Sequence, residues 1–90
     1  MNRTALVVDD SASMRQMVTF TLTEAGFRIL EGADGQQALN ALNGAGKVDL
    51  IITDLNMPVM DGITFIRRAR ELPTCRFTPI LMLTTESQEA

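Results

Sequence analysis

The chain has 90 residues, and its 8 lysines and arginines against 11 aspartates and glutamates give a formal net charge of −3. This length suits one small domain with a single hydrophobic core, and the scattered basic residues argue against nucleic-acid binding, which needs a concentrated positive surface. Without histidine the chain cannot form a Ser-His or Cys-His catalytic pair, and its single cysteine cannot form an internal disulfide. No apolar run is long enough to span a membrane, so we expect a cytoplasmic protein.

The chain begins with a pattern typical of a buried strand followed by a helix. The apolar run Ala5 to Val8 predicts the strand, which ends at the acidic pair Asp9-Asp10. Ser11 to Ser13 offer N-cap residues, and Gly26 is a natural helix stop. Between them, apolar residues recur at helical spacing and predict a stripe that faces the core: Met14, Met17, Val18, Leu22 and Ala25. Because two of these residues are methionines, an adaptable binding surface is the alternative.

A second strand and helix follow. Residues 27–31 alternate as expected for a short edge strand. Asp34 with Gln37 three residues later resembles a capping box and predicts the start of a helix. Its apolar side is predicted to consist of Ala38, Leu39 and Leu42, and the stretch Gly44-Ala45-Gly46 is predicted to end it.

The second half repeats this alternation. Residues 50–53 predict a third strand that leads into Asp54, and Asp61-Gly62 predicts the start of a third helix. We expect its core-facing residues to be Ile63, Ile66 and Ala69, and we expect a solvated outer face, rather than an anion-docking patch, at Arg67, Arg68 and Arg70.

The last predicted strand is Ile80 to Leu83, after an irregular connection between Pro73 and Pro79. It is apolar on both faces. Strands that alternate with helices are typical of an α/β domain with a parallel sheet and helices on both faces.

Three carboxylates are expected to meet at one edge of this sheet. Asp9, Asp10 and Asp54 each follow a predicted strand, and the carboxyl ends of parallel strands lie on the same edge. A lone aspartate at a strand end is often a turn or N-cap residue, but two such sites at matching positions favour a shared pocket. Crowded carboxylates favour a hard cation such as Mg²⁺, beside which an aspartate can act as a nucleophile towards phosphorus.

Three motifs carry a resemblance to a known family: Val7-Val8-Asp9-Asp10-Ser11, the string DLNMPVMDG from Asp54 to Gly62, and the run from Pro79 to Glu86. Together they resemble the receiver domain of bacterial two-component response regulators, of the single-domain chemotaxis type. The resemblance implies a flavodoxin-like, doubly wound parallel sheet with strand order 2-1-3-4 in this chain and three helices.

The resemblance also implies a role for each site residue. Asp54 is expected to accept the phosphoryl group from a phosphohistidine of a sensor kinase. Mg²⁺ is expected to bind Asp10 directly, Asp9 through water, Asp54, and the backbone carbonyl of Asn56. Thr84 corresponds to the switch hydroxyl that moves towards the phosphoryl group and alters the surface that an output protein reads. Such a domain catalyses only its own phosphorylation and dephosphorylation.

The chain departs from the family pattern at its end. A complete receiver continues through a fourth helix, a fifth strand that carries a Lys-Pro pair, and a fifth helix, whereas this chain ends at Ala90. We therefore expect residues 1–90 to form a receiver fragment whose signalling is impaired by the missing lysine. We also expect the run Ile80–Leu83 to be an open, apolar sheet edge that drives homo-oligomer formation.

Two alternatives remain open at this point. An aspartate-phosphate hydrolase also uses a nucleophilic aspartate beside Mg²⁺, but it needs a second aspartate at position 56, where this chain has Asn56. The other alternative is an assembly module, in which a half-domain pairs with another chain and does not signal.

Overall fold

The computed structural model describes residues 3–57 and 59–83. Within these residues, four parallel strands lie in the order β2-β1-β3-β4. This order confirms the predicted flavodoxin-like α/β fold. The elements in chain order are β1 (Arg3–Val8), α1 (Ala12–Glu24), β2 (Phe27–Gly32), α2 (Gly35–Ala45), β3 (Leu50–Asp54), α3 (Gly62–Arg70), a short 3₁₀ turn (Pro73–Cys75) and β4 (Ile80–Leu83).

The two central strands are buried because apolar side chains occupy both of their faces. The run Ala5 to Val8 of β1 is at most 1 % exposed, as expected for a central parallel strand. The larger part of the core lies between the sheet and the pair α2 and α3, and includes Leu6, Ile51, Leu42 and Phe65.

Each helix begins at a residue whose side chain accepts a backbone N–H three positions later, at the predicted sites. The N-caps are Ser11, Asp34 and Asp61. In the predicted capping box, Asp34 accepts from Gln37 N–H at 2.8 Å, while the Gln37 side chain accepts from the N–H of Ala33 at 3.0 Å. The return bond therefore reaches one residue before the N-cap, a variant of the usual motif. Helix α2 ends before Gly46, whose φ of 70° suits glycine.

The predicted core stripe of α1 is wrong in part. Among the described residues, none on α1 is fully buried, and Met17 is 64 % exposed. Met14, Val18 and Leu22 are half-buried, whereas Ala25 is exposed. The reason is that α1 lies against β1 and β2, while its other side borders an open groove. This groove is lined by Met17, Val18, Thr21, Leu22 and Ile52 of β3.

The predicted inner face of α3 is also wrong in part. Ile63 is 54 % exposed, whereas Phe65 and Ala69 are completely buried. These two side chains are four residues apart and share one face of the helix with Gly62. Ile66 is half-buried beside this core.

Arg70 is the second correction on α3, since it does not belong to a solvated face. Its Nη1 donates to the carbonyl oxygens of Cys75 at 2.9 Å, Arg76 at 3.1 Å and Thr78 at 2.6 Å. Arg67 and Arg68 are exposed as predicted. Arg70 therefore holds the connection between α3 and β4, with Cys75 buried beneath it.

No helix in the described part of the chain is long and apolar enough to cross a membrane.

Candidate functional site

The three predicted carboxylates meet at the carboxyl ends of β1 and β3. One carboxylate oxygen each from Asp9, Asp10 and Asp54 lies within 4.8 Å of the others. Asp9 and Asp54 are only 2 % and 4 % exposed, whereas Asp10 is exposed. The sheet brings them together because β1 and β3 are paired in parallel, with Val8 opposite Thr53.

Asp9 is held in a buried position with one oxygen satisfied. The N–H of Ser11 donates to Asp9 Oδ1 at 2.9 Å, which is a turn-type contact. Asp9 Oδ2 is buried and has no hydrogen-bond partner among the described residues. Burial raises the pKa of Asp9 above its ordinary value of 3.8, and the nearby Asp54 and Asp10 carboxylates raise it further, against the opposing effects of Ser11 N–H and Arg15.

Asp54 is oriented by the backbone that follows it. Its Oδ1 accepts the N–H of Leu55 at 2.8 Å and that of Asn56 at 3.4 Å. Because both contacts fall on the same oxygen, the plane of the carboxylate is fixed at the end of β3. This arrangement suits a nucleophile that has to meet an incoming group in one orientation.

The loop between β3 and α3 closes tightly beneath Asp54. The N–H of Gly62 donates to Leu55 O at 2.9 Å. A Cβ atom at position 62 would lie 2.5 Å from Asp54 O and 2.8 Å from Leu55 Cα, so a larger residue would displace the strand end. In the same loop Val59 has a φ of 71°, a conformation that is strained for a β-branched residue.

The other predicted site residues are placed less completely. Asn56 lies two residues after Asp54, to whose Oδ1 its N–H donates, and it is exposed. Thr84, the predicted switch residue, lies outside the described residues, as does Pro58 of the motif.

Sequence reasoning missed one residue near the carboxylates. Arg15, in the first turns of α1, donates from Nη1 to the backbone carbonyl of Asp9 at 2.7 Å and from Nε to Glu31 at 3.0 Å. Asp9 follows β1, Arg15 lies on α1 and Glu31 lies on β2, 16 positions from Arg15. No local sequence pattern could have indicated this contact.

The donor set fits a hard divalent cation. All the converging ligand atoms are carboxylate oxygens, which Mg²⁺ prefers. In addition, an unpartnered buried oxygen such as Asp9 Oδ2 is costly unless a cation or an ordered water satisfies it. Asp10 is exposed, so one side of the pocket is open to water.

Comparison with known proteins agrees with this geometry. Residues 5–90 match the family model described as response regulator receiver domain. The chain is 37 % identical to chemotaxis protein CheY1 of Helicobacter pylori, covering 94 % of this chain and 69 % of that protein. It is 40 % identical to a CheY homologue of Campylobacter jejuni, covering 94 % of this chain and 66 % of the relative.

Solved structures show the same similarity. The chemotaxis response regulator CheY4 of Vibrio cholerae superposes with a TM-score of 0.89 at 48 % identity, covering 98 % of this chain and 72 % of that one. A response regulator receiver protein of Pseudomonas putida gives a TM-score of 0.86 at 25 % identity, with the same shares of the two chains covered. The fold, the position of the carboxylates and these relatives lead to one conclusion: the chain belongs to the response regulator receiver domain family and is of the chemotaxis CheY-like type.

Proposed function

We propose that this chain is a phosphoacceptor in a two-component, chemotaxis-type pathway, with Asp54 as the residue that receives the phosphoryl group. The observation that carries the proposal is the meeting of Asp9, Asp10 and Asp54 within 4.8 Å, with Asp54 oriented by two backbone N–H groups. Receiver domains are signalling domains, and CheY-like receivers take phosphoryl groups from histidine kinases. A sensor histidine kinase is therefore the proposed donor. Residues 1–90 are proposed to act as one receiver unit.

Asp54 would act as the nucleophile through its Oδ2, since Oδ1 already accepts both amides. A bond forms between Oδ2 and phosphorus while the phosphorus–nitrogen bond of the phosphohistidine breaks. The electron pair of that bond goes to the departing nitrogen, and a proton from water leaves the imidazole neutral. A bound Mg²⁺ would neutralise negative charge on the phosphoryl group during the transfer. The buried position of Asp54 keeps bulk water from one side of the acyl phosphate.

The proposed metal ligands are Asp10, Asp54, the backbone carbonyl of Asn56, and Asp9 through a water molecule. Asp9 Oδ2, which has no partner among the described residues, is the oxygen that fits this last role. Thr84, the residue that follows Leu83 in the sequence, is proposed as the switch hydroxyl that responds to phosphorylation. The new charge and acceptor oxygens at Asp54 would be the local event that an output protein reads.

Incubation with Mg²⁺ and acetyl phosphate tests the proposal. Intact mass should show one labile phosphoryl group, and peptide mapping should place it on Asp54. Asp54→Asn should abolish labelling, whereas Asp61→Asn, which changes an exposed aspartate at the start of α3, should leave labelling in place. A label on Asp9, Asp61 or a serine contradicts the assignment. Rapid multiple-turnover release of phosphate from the donor by the parent chain, with no accumulated phosphoryl group, would indicate a hydrolase instead.

A separate observation supports a second proposal, that the chain forms a homo-oligomer through β4. In the described residues β4 pairs with β3 alone, and Leu81 and Met82 are 55 % and 49 % exposed. An apolar edge strand with open backbone groups is a template for pairing with another chain. Two copies related by a two-fold axis would pair β4 with β4 in antiparallel orientation.

Light scattering at micromolar concentration tests this second proposal. The parent chain should be a dimer, and Leu81→Lys should make it monomeric. Val59→Lys is the matched control, because Val59 is an exposed apolar residue outside the sheet and its replacement should leave the dimer intact. A monomeric parent would rule out oligomer formation but would leave the phosphoacceptor proposal untouched.

A further inference from the structure

Arg15 links three elements beside the carboxylates. Its backbone lies in the first turns of α1, where its N–H donates to Ser11 O at 3.0 Å. Its guanidinium spans from the backbone carbonyl at the end of β1 to Glu31 near the end of β2, at distances of 2.7 and 3.0 Å. The side chain is 20 % exposed, so water screens it only in part.

The first of these contacts bears directly on the metal site. The carbonyl of Asp9 belongs to the peptide group that joins Asp9 to Asp10, and both side chains contribute to the carboxylate cluster. The N–H of Asp9 is already held by Gly32 O at 3.1 Å. With the carbonyl held by Arg15, both sides of Asp9 are fixed, and the backbone that carries Asp10 can rotate less. Asp10 itself is exposed and needs this restraint most.

The second contact fixes Arg15 itself. Glu31 lies opposite Val7 in the paired strands, so an ion pair with Glu31 holds the guanidinium over the end of the sheet. The planar fork of arginine can donate from Nε and Nη1 to two acceptors at once. A lysine at this position could reach one acceptor but has no rigid fork with which to hold both.

We propose that Arg15 is a positioning residue for the Mg²⁺ site, and that it acts by fixing the Asp9–Asp10 peptide group through its contacts with Asp9 O and Glu31. This inference rests on the proposed function, because it assumes that the carboxylates bind Mg²⁺. Geometry and charge make opposite predictions here. A cation near the site repels Mg²⁺, so loss of Arg15 should tighten Mg²⁺ binding if charge alone matters and weaken it if position matters.

Mg²⁺ affinity of the full chain, measured by isothermal titration calorimetry without any phosphodonor, separates the two. Arg15→Gln should raise the Kd for Mg²⁺ about tenfold, in the range found when groups that orient metal ligands are removed. Arg15→Lys keeps the charge and should still raise the Kd, by about threefold, because only one of the two contacts can be kept. Arg28→Gln is the matched control, since it removes the same charge from an exposed residue of β2 and should leave the Kd unchanged.

Each outcome decides the matter. An unchanged or lower Kd in Arg15→Gln overturns the inference, and so does full parent affinity in Arg15→Lys. If Arg15→Gln does not fold, as judged by far-ultraviolet circular dichroism, Arg15→Lys decides alone. If the parent chain binds no Mg²⁺, the proposed function is refuted and so is this inference. If the parent binds Mg²⁺ and the Arg15 variants bind it equally well, only this inference is refuted.

Discussion

The carboxylates at the amino ends of the strands (the amino edge of the sheet) have hydrogen-bond and ion-pair partners, whereas those at the carboxyl ends (the carboxyl edge) are crowded together. At the amino edge, Asp49 accepts the N–H of Thr4 at 2.9 Å and lies 3.7 Å from the Lys47 ammonium. At the carboxyl edge, Asp9 Oδ2 is buried with no partner among residues 3–57 and 59–83, and two further carboxylates lie close to it. The amino edge therefore provides partners for Asp49, whereas the carboxyl edge holds three carboxylates close to one another.

The difference separates an edge that stabilises the fold from an edge whose crowded carboxylates fit the proposed Mg²⁺ site. Native structures pair nearly all of their buried polar groups, and departures from this rule tend to occur at functional sites. The amino edge is held further by Arg70 and by the buried hydroxyl of Thr78. Substitutions at the amino edge should therefore destabilise the protein, whereas relief of crowding at the carboxyl edge should stabilise it and impair function.

The largest effect is expected from Arg70→Ala. This change removes hydrogen bonds from a charged donor to the carbonyl oxygens of Cys75, Arg76 and Thr78. Because hydrogen bonds to charged groups contribute roughly 1.5–3 kcal/mol, we expect the free energy of unfolding to fall by about 3 kcal/mol. Urea unfolding followed by circular dichroism measures it. Arg68→Ala, at an exposed position of the same helix, should change stability by less than about 0.5 kcal/mol, and equal losses in both variants would contradict the role of Arg70.

Thr78→Val should have the next largest effect. Thr78 Oγ1 donates to Val48 O at 3.0 Å and is 7 % exposed. Valine has a similar shape but cannot donate, so Val48 O would lose its partner at a cost of about 1–2 kcal/mol. The same urea measurement applies, with Thr74→Val as the exposed control. Stability equal to the parent would show that the amino edge does not depend on this bond.

A matched pair of neutralised aspartates tests the comparison most directly. Without metal, Asp9→Asn should raise the melting temperature, because it removes a buried, crowded charge and keeps an oxygen that can accept from Ser11 N–H. Asp49→Asn should lower it, because the attraction to Lys47 and the charge on the acceptor of Thr4 N–H are lost. Calorimetric melting of both variants at neutral pH measures the direction of the change in melting temperature for each. If the melting temperature changed in the same direction in both variants, the proposed distinction between the two edges would be wrong.

The gain in Asp9→Asn should depend on pH. The folded-state pKa of Asp9 is raised from 3.8, so the folded state binds this proton more tightly than the unfolded state does. The resulting stabilisation of the parent is complete below pH 3.8 and is lost as the pH rises through the raised folded-state pKa. The difference between Asp9→Asn and the parent should therefore be largest at neutral pH and vanish towards pH 3.8. A difference that is constant with pH would assign the gain to another cause.

The smallest effect is expected in the loop at the carboxyl edge. Val59 has a φ of 71° and is 80 % exposed. Asparagine tolerates this region far better than a β-branched residue, so Val59→Asn should stabilise the protein by about 1 kcal/mol. Val59→Ile keeps the β-branch and should give no gain in the same unfolding experiment. A gain in Val59→Ile would mean that backbone strain is not the reason.

The sequence by itself determined the local elements and the position of the acidic residues. Apolar runs identify the strands, and the cap pairs such as Asp34 with Gln37 identify where helices begin, because these signals involve neighbours along the chain. Parallel pairing then places Asp9, Asp10 and Asp54 at one edge, since every strand end in such a sheet opens on the same side.

Tertiary structure alone decided which helix faces are buried and which charges are held. Ile63 and Phe65 are both apolar members of α3, and the way α3 packs on the sheet leaves the first exposed and buries the second. Arg70 and Arg68 look alike in the sequence, yet only the position of the following connection gives Arg70 its carbonyl partners. Arg15 meets Asp9 O and Glu31 because β1 and β2 end close to the place where α1 begins. Contacts of this kind depend on distances between elements, which the periodicity of a single element does not encode.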